Sequence, residues 1–385
     1  MISRATRIAD IQPFRVMALL ARARELEAAG RDIVHMEIGE PDFPTPEPVI
    51  QAVQVAISGG RMHYTPATGM PALRQAIANH YRHEYALEID PGRVVVTPGA
   101  SGALLLILGA LLDAGQSVLM ADPGYPCNRN FVRFLEGRSR AIPVGPESGY
   151  QLTARQVADH WQADTRAVLV ASPANPTGTL LPVDELAAIH AVVRERGGVL
   201  IVDEIYHGLV YGAPAQTALA VSDEVIVINS FSKYYGLTGW RVGWLVAPPD
   251  WVADLDKLAQ NLFLAAPTPG QYAALAALGP TTRPVLEERR EAFRARRDYL
   301  LPALRELGFV IPVIPQGAFY LYADCRRFTD DSLAFSEALL EEAGVAVTPG
   351  LDFGHNHPER HLRFAYTTSL ERLEEGVRRI ASFVG

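Results

Sequence analysis

A lysine in the second half of the chain lies among residues that suit a phosphorylated ligand. Lys233 follows Ser230 and Ser232, and Arg241 comes eight residues after it. Two hydroxyls and a guanidinium beside one lysine suit a phosphate group held next to an amine. A lysine amine normally titrates near ~10.4, and a buried site flanked by cations lowers its pKa and makes it a better nucleophile. Lys233 considered alone would instead suggest a surface lysine beside an ion pair.

A carboxylate closes another apolar stretch. Asp203 ends the run that starts at Val199, and Tyr206 follows three residues later. A carboxylate at the end of an apolar strand needs a partner, because burying it alone is costly. A pyridinium nitrogen is one such partner, since an ionised Asp203 keeps that nitrogen protonated and the ring electron-withdrawing. A helix cap or a salt bridge is an equally good explanation of Asp203 taken alone.

Two further turns carry polar groups at strand ends. Asn175 precedes Pro176 in a turn after a predicted strand, where Asn-Pro is also an ordinary turn signal. Gly99, Ala100 and Ser101 join a predicted strand to a predicted helix. The backbone N–H groups of such a turn lie at the positive end of the helix and can bind an anion.

The elements that must position these residues alternate between strand and helix. Strands are predicted at 93–97, 118–122, 167–171, 199–203, 225–230 and 241–247, with helices at 101–112 and 182–196. Strands that alternate with helices predict a three-layer α/β fold, a mostly parallel sheet with helices on both faces. Functional residues then collect at one edge of the sheet.

The pattern of predicted helices and strands changes after residue 280. Helices are predicted at 283–307, near 333–343 and from 370 onward, and strands at 309–313, 319–323 and 362–366. This indicates a smaller α+β domain. We expect a large domain over 45–280 and a small domain that combines 1–44 with 281–385.

Composition excludes several classes of protein. A net charge of −8 argues against general nucleic-acid binding. No apolar run is long enough for a membrane span, and the two cysteines, Cys127 and Cys325, form no disulfide framework. We therefore expect a cytoplasmic protein that binds neither membrane nor nucleic acid. Of the histidines at 355, 357 and 361, the last two are four residues apart, but Pro358 between them argues against a helix there, so we expect no metal site.

Taken together, these segments resemble the pyridoxal-phosphate enzymes of fold type I, class I/II, in the aspartate aminotransferase superfamily. The resemblance covers nearly the whole chain. Its motifs are IGEPDF at 38–43, YTPATGMPALR at 64–74, NPTG at 175–178, DEIY at 203–206 and, most specific, SKYYGLTGWRVG at 232–243.

The resemblance implies a role for each residue. Lys233 would hold pyridoxal 5'-phosphate as a Schiff base and move the substrate proton, and Asp203 would pair with the ring nitrogen. Asn175 and Tyr206 would contact the 3'-oxygen, and Tyr125 would stack on the ring. The implied phosphate site comprises Gly99, Ala100, Ser101, Ser230, Ser232 and Arg241, with Tyr64 reaching it from the second subunit of a homodimer.

The resemblance also implies a clamp for the substrate. Arg363, on a predicted strand, resembles the arginine that grips the α-carboxylate, and Gly39 matches a glycine whose backbone touches the same group. Asn175 belongs to this substrate site as well. The implied reaction is a ping-pong transfer of an amino group from an L-amino acid to a 2-oxo acid, with glutamate and 2-oxoglutarate as the expected shuttle pair.

Two other functions fit the same machinery. A C–S β-lyase begins with the same proton removal, so these residues do not separate it from an aminotransferase. A regulator that senses the cofactor without catalysis would carry a DNA-binding module ahead of residue 38, where we expect no room for one. The donor amino acid stays open, because Phe14 and Met17 suit an apolar side chain whereas Arg15 suits a second carboxylate. Asn128 and Arg129 are equally ambiguous.

Overall fold

The computed structural model describes residues 4–212 and 214–385, which form two β-sheets surrounded by helices. The strands are β1 (Val34–Met36), β2 (Val94–Thr97), β3 (Ser117–Asp122), β4 (Arg138–Pro143), β5 (Thr165–Ala171), β6 (Val199–Asp203), β7 (Ile226–Ser230), β8 (Gly243–Val246), β9 (Tyr320–Asp324), β10 (Val345–Pro349) and β11 (His361–Ala365). The helices are α1 (Arg15–Ala28), α2 (Glu47–Ser58), α3 (Pro71–Tyr85), α4 (Gly99–Leu111), α5 (Pro126–Phe134), α6 (Ala154–His160), α7 (Val183–Glu195), α8 (Val252–Leu262), α9 (Thr268–Ala277), α10 (Arg283–Leu307), α11 (Ser332–Ala338) and α12 (Leu370–Val384).

The larger sheet has the strand order β2-β8-β7-β6-β5-β3-β4. Strands β3 to β7 pair in parallel, and β8 runs antiparallel to both of its neighbours. Successive strand residues enter opposite faces: Val94 and Val96 belong to one apolar cluster and Val95 to another. Both faces are therefore covered, which confirms the predicted three-layer fold.

This arrangement places the chemical groups at one edge of the sheet. Asp203 ends β6, Ser230 ends β7 and Ala171 ends β5, just before the turn that holds Asn175. Because these three strands are parallel, their carboxyl ends open into the same crevice. Helix α4 begins at the end of β2, on the side where β8 packs against its first turn.

The smaller sheet joins the two ends of the chain, with the order β1-β10-β11-β9. Strand β1 runs parallel to β10, and Arg363 of β11 is paired with Tyr322 of β9. Segment 37–45, which follows β1, is thereby led past Arg363 and towards Lys233. The predicted domain limits remain a prediction.

Some predicted elements differ from the structure. The predicted strand at 309–313 is wrong: Val310 forms only an isolated bridge to Asp324, because Pro312 lacks the N–H that a strand would use there. Strands β1, β4 and β10 and helices α1 to α3, α5, α6, α8 and α9 were not predicted from the sequence. The predicted helix near 333–343 is α11 followed by a π-helical turn, Leu339–Ala343. None of the helices in 4–212 and 214–385 is long and apolar enough to cross a membrane.

Candidate active site

A cavity of about 210 Å³ opens where the carboxyl ends of the parallel strands face the smaller sheet. It brings together most of the residues singled out in the sequence. Those that line it are Gly39, Ala100, Ser101, Tyr125, Asn175, Asp203, Tyr206, Ser230, Ser232, Lys233, Arg241 and Arg363. Gly99 and Tyr64 are not among its lining residues.

Lys233 reaches into this cavity from the segment that follows β7. Its Nζ donates to the carbonyl oxygen of Gly39 at 2.7 Å and lies 5.9 Å from the centre of the Phe319 ring. The pKa of the amine is lowered from 10.5 to about 8, chiefly by burial. Arg363 and Arg241 contribute to this lowering, whereas the charges of Glu40 and Asp203 oppose it. A substantial fraction of the amine is therefore uncharged near neutral pH, as a nucleophile requires.

Asp203 lies at the bottom of the cavity and is 6% exposed. Its Oδ1 accepts a hydrogen bond from the backbone N–H of Ile205 at 3.0 Å. Burial raises the pKa of the carboxyl from 3.8 to about 6, while that hydrogen bond and the charge on Lys233 pull it down. A cationic ligand group beside Asp203 would relieve the cost of burial and hold the carboxylate ionised.

One end of the cavity is built for an anion. The first turn of α4 presents the backbone N–H groups of Ala100 and Ser101, which have no partner within a helix because they belong to its first turn. The hydroxyl of Ser230 donates to that of Ser232 at 2.9 Å, and both serines are buried. Arg241 lines the same end and donates to the carbonyl oxygen of Thr238 at 2.9 Å.

Gly99 supports this end without lining it. Its φ is +71°, and a Cβ added there would lie 2.7 Å from Nη2 of Arg241. A larger residue would therefore both strain the backbone and displace the guanidinium. The role of Gly99 at the phosphate site stays a prediction, and what the structure shows is the room that this glycine leaves for Arg241.

The opposite end holds Arg363, which is 2% exposed. Its guanidinium donates to Oδ1 of Asn175 at 2.9 Å and to the carbonyl oxygen of Glu37 at 2.6 Å, and it stacks on the rings of Tyr320 and Phe353 at 4.2 and 4.9 Å. Its Nε is buried and finds no hydrogen-bond partner among the described residues. A rigidly held guanidinium suits a carboxylate ligand.

Tyrosines join these two ends. The hydroxyl groups of Tyr206 and Tyr320 are hydrogen-bonded at 2.9 Å. Tyr320 also explains why residue 39 is glycine, because a Cβ at residue 39 would lie 1.8 Å from the hydroxyl oxygen of Tyr320. Tyr125 lines the cavity from the loop after β3, with its ring edge-on to Phe14 at 6.5 Å.

The arrangement fits pyridoxal 5'-phosphate. The amine with a lowered pKa corresponds to the aldehyde of that molecule. The buried carboxylate of Asp203, which forms no salt bridge within the described residues, corresponds to the ring nitrogen, and the anion site with two hydroxyls and Arg241 corresponds to the phosphate. Arg363 lies apart from the anion site and remains for a second negative group.

Two important residues were missed from the sequence. Tyr320 lies in a correctly predicted strand, but no spacing or motif set it apart from a core tyrosine. Asp352 is 4% exposed and accepts hydrogen bonds from the backbone N–H groups of Arg15 and Val16, at 3.1 and 2.9 Å, which begin α1. A cap supplied by a residue more than three hundred positions away leaves no local signal.

Other candidates have structural roles. His361 stacks on Tyr322 with ring centres 4.6 Å apart, and the backbone N–H of His355 donates to Asp122. Within the described residues, no group of three or more His, Cys, Asp or Glu is arranged to hold a metal ion. Cys127 and Cys325 are not disulfide-bonded, and burial raises the pKa of both thiols.

Tyr64 lies on an open face of the protein, where its side chain is 85% exposed. It borders a depression that is also lined by Met62, His63, Phe263 and Leu264. The tyrosine therefore makes no contribution to the cavity of its own chain.

Comparisons with known proteins agree with this geometry. The family model for aminotransferase class I and II matches residues 31–380. The valine–pyruvate aminotransferase of Mycobacterium tuberculosis is 40% identical, with 100% of this chain and 99% of the relative covered, and the aspartate aminotransferase of Geobacillus stearothermophilus is 34% identical, with 99% and 98% covered.

Solved structures give the same answer. An aminotransferase from Mycobacterium tuberculosis superposes with a TM-score of 0.96 at 40% identity, over 100% of this chain and 99% of that one. Aspartate aminotransferase from Thermus thermophilus with maleate superposes with a TM-score of 0.94 at 35% identity, over 99% and 100%. The chain therefore belongs to the class I and II aminotransferases, pyridoxal-phosphate-dependent enzymes that act on amino acids and 2-oxo acids.

Proposed function

We propose that this aminotransferase binds pyridoxal 5'-phosphate through a covalent bond to Lys233 and carries out both half-reactions of a ping-pong transfer in the cavity described above. The observation that carries the proposal is the position of Lys233. Its amine has a lowered pKa and lies in one cavity with a buried carboxylate and an anion site. The cofactor, when bound, supplies an electron sink that stabilises negative charge at the substrate Cα.

The chain's own residues divide the remaining work. Asp203 holds a proton on the ring nitrogen, because its buried carboxylate is stabilised by a cationic partner. With cofactor and substrate bound, the amine of Lys233 would take the proton from the substrate Cα and would return it at the C4' atom of the cofactor. An amine whose pKa is about 8 serves both as acceptor and as donor near neutral pH.

The anion site and the aromatic residues orient the cofactor. Backbone N–H groups at Ala100 and Ser101 and the side chains of Ser101, Ser230, Ser232 and Arg241 hold the phosphate, with Gly99 leaving room for the guanidinium. Tyr125 covers one face of the ring. Asn175 and Tyr206 contact the 3'-oxygen, and the contact between Tyr206 and Tyr320 fixes the phenol for this purpose.

Arg363 and Gly39 hold the substrate. The guanidinium is fixed by Asn175, Glu37 and two aromatic rings, so it meets the α-carboxylate with little loss of side-chain entropy. The backbone of Gly39 contacts the same α-carboxylate. Residue 39 must be glycine, because Tyr320 leaves no space for a side chain there. The amino group is thereby directed towards Lys233.

The working unit is a homodimer in which Tyr64 of each subunit reaches the phosphate of the other. The support is the exposure of Tyr64, at 85%, on a face with other exposed apolar residues, Leu262 and Leu264. Mixing Lys233→Ala with Tyr64→Ala subunits tests it: hybrid dimers with one intact site should give more activity than the two variants assayed separately. Equal activity would contradict a shared site. The free thiols of Cys127 and Cys325 suit a reducing compartment, and we place the enzyme in the cytoplasm.

The covalent link is tested by visible absorbance. Purified enzyme should show the cofactor band, addition of an amino donor should bleach it, and a 2-oxo acid should restore it. Lys233→Ala should lack the protein-linked band. A band that survives this substitution unchanged would contradict the proposal. Steady release of pyruvate and ammonia from cystathionine without any oxo acid would favour the β-lyase instead.

A further inference from the structure

The wall of the cavity beyond the substrate clamp differs in character from the rest of the site. We infer that the enzyme takes amino acids and 2-oxo acids with apolar, uncharged side chains in both half-reactions, and that Phe14 and Met17 determine this specificity. The inference rests on the proposed function, because it assumes that Arg363 holds the α-carboxylate and that the amino group points to Lys233.

Each cationic side chain that lines the cavity already has a role in the proposed function. Among the described residues that line it, the cations are Lys233, Arg241 and Arg363. Lys233 and Arg241 serve the cofactor, and Arg363 serves the α-carboxylate. A dicarboxylic substrate would bring a second carboxylate into a buried site with no cation left to receive it, which is strongly unfavourable.

Apolar side chains occupy the remaining wall. Phe14, Val16 and Met17 line the cavity together with Ile38, Leu104 and Ile205. The ring of Phe14 meets Tyr125 edge-on, so it borders the space beside the expected cofactor ring. Met17 is 51% exposed and lies at the rim, where a substrate side chain would cover it.

Arg15, the cation that sequence considerations left open, does not line this cavity. It is exposed, and its backbone N–H is hydrogen-bonded to Asp352 at 3.1 Å. The same carboxylate receives the N–H of Val16 at 2.9 Å. Asp352 thus fixes the start of α1 so that Phe14, Val16 and Met17 face the cavity while Arg15 does not.

Arg129 is the next cation on this side, and it belongs to a different space. Its guanidinium donates to the carbonyl oxygen of Asp352 at 2.8 Å and lines a neighbouring cavity of about 160 Å³, which Asp122 also lines. Tyr125, Ala171 and Asn175 line both cavities, which therefore adjoin each other. Arg129 lines only the neighbouring cavity and is tied to Asp352, so it is not among the cations of the cavity that holds the Arg363 clamp.

The depression beside Tyr64, which in the proposed dimer would face the other subunit's site, is mostly apolar. The depression beside Tyr64 has Met62, His63, Phe263 and Leu264 in its wall, and its described lining contains no Lys, Arg, Asp or Glu. If Tyr64 enters the other subunit's site, these neighbours approach the same opening. Apart from His63, they would extend an apolar surface.

The test compares both half-reactions of the holoenzyme by single-turnover absorbance. L-Valine and L-leucine should exceed L-aspartate and L-glutamate in kcat/KM by at least about 100-fold, and pyruvate should exceed 2-oxoglutarate similarly, as expected for an uncompensated buried charge. Calorimetry with unreactive acids gives a second readout: 3-methylbutanoate should bind the holoenzyme more tightly than succinate. Equal rates for valine and glutamate, in an enzyme whose visible band depends on Lys233, would overturn the inference and leave the proposed function intact. Loss of the Lys233-dependent band would instead overturn the proposed function.

Two matched substitutions locate the specificity. Met17→Arg places a cation at the rim of the cavity and should raise the preference for glutamate relative to valine by about 3- to 5-fold, as one partly exposed ion pair would. Val310→Arg is the control, since Val310 is 55% exposed and lies outside the site. It should leave the preference unchanged. An unchanged preference in Met17→Arg, or an equal change in both variants, would refute the role of Met17.

Discussion

Replacing Lys233 by methionine should make the cofactor-free protein more stable near neutral pH. The native state lowers the pKa of this amine from 10.5 to about 8, mainly by burial. The folded protein therefore binds this proton less tightly than the unfolded chain. The lysine is destabilising below pH 8, where both states carry the charge, and the penalty fades as the pH rises from 8 to 10.5.

The size of the effect follows from the shift in pKa. A difference of roughly 2.5 units corresponds to about 3 kcal/mol at full strength. Because the amine faces a cavity that opens to solvent, we expect about 2 kcal/mol to remain after screening. Loss of the hydrogen bond to Gly39 subtracts about 1 kcal/mol at every pH. The difference in stability between variant and parent should then fall by about 2 kcal/mol between pH 7 and pH 10.5.

Chemical denaturation of the cofactor-free proteins measures this difference, and the chain offers a matched control. Lys233 and Lys257 are its two lysines. The side chain of Lys257 is 68% exposed and pairs with Asp254 at 2.6 Å, so Lys257→Met should show a difference that varies little with pH in this range. A difference for Lys233→Met that stays constant from pH 7 to pH 10.5 would refute the claim that the amine is poised to lose its proton.

Three further substitutions test the positioning of the site. Gly39→Ala should lower kcat/KM by at least about 10-fold and the free energy of unfolding by about 1–3 kcal/mol, because the new Cβ overlaps the hydroxyl of Tyr320. Adding Tyr320→Phe should recover part of that stability in a double-mutant cycle. If the two substitutions show no coupling, the contact is contradicted. Arg363→Lys should lower kcat/KM for amino donors by about 100-fold, since a lysine cannot bind a carboxylate in bidentate fashion. The visible band of the holoenzyme should be retained. Loss of the band would instead show that Arg363 holds the cofactor. Asp352→Asn should destabilise the protein by about 1 kcal/mol and raise KM for apolar donors, because it weakens the cap on α1 at Val16. An unchanged KM would show that the position of α1 does not determine substrate specificity.

The sequence predicted the parts of the site that depend on local order along parallel strands. Asp203, Ser230 and Asn175 each follow an apolar strand, and parallel strands must bring their ends to one edge. Arg241 follows Lys233 by only eight residues, so their proximity is favoured by the chain itself. These predictions needed only the sheet type and the positions of the strand ends.

Contacts between distant segments were beyond that reasoning. The overlap that demands glycine at residue 39 involves Tyr320, and the cap on α1 comes from Asp352. The orientation of Arg15 away from the cavity depends on this cap, and the sequence could not decide it. The prediction of a strand at 309–313 was wrong because it relied on the apolar residues of this segment and neglected Pro312, which cannot donate a backbone hydrogen bond.

The covalent link at Lys233 is the central claim, and the presence of two lysines makes it directly measurable. Enzyme as purified is reduced with borohydride, digested and examined by mass spectrometry for the peptide that carries the phosphopyridoxyl group. We predict the label on Lys233 alone, with none on Lys257 and none in Lys233→Ala. Label on Lys257 in the parent enzyme, or label retained in Lys233→Ala at the parent's level, would contradict the account.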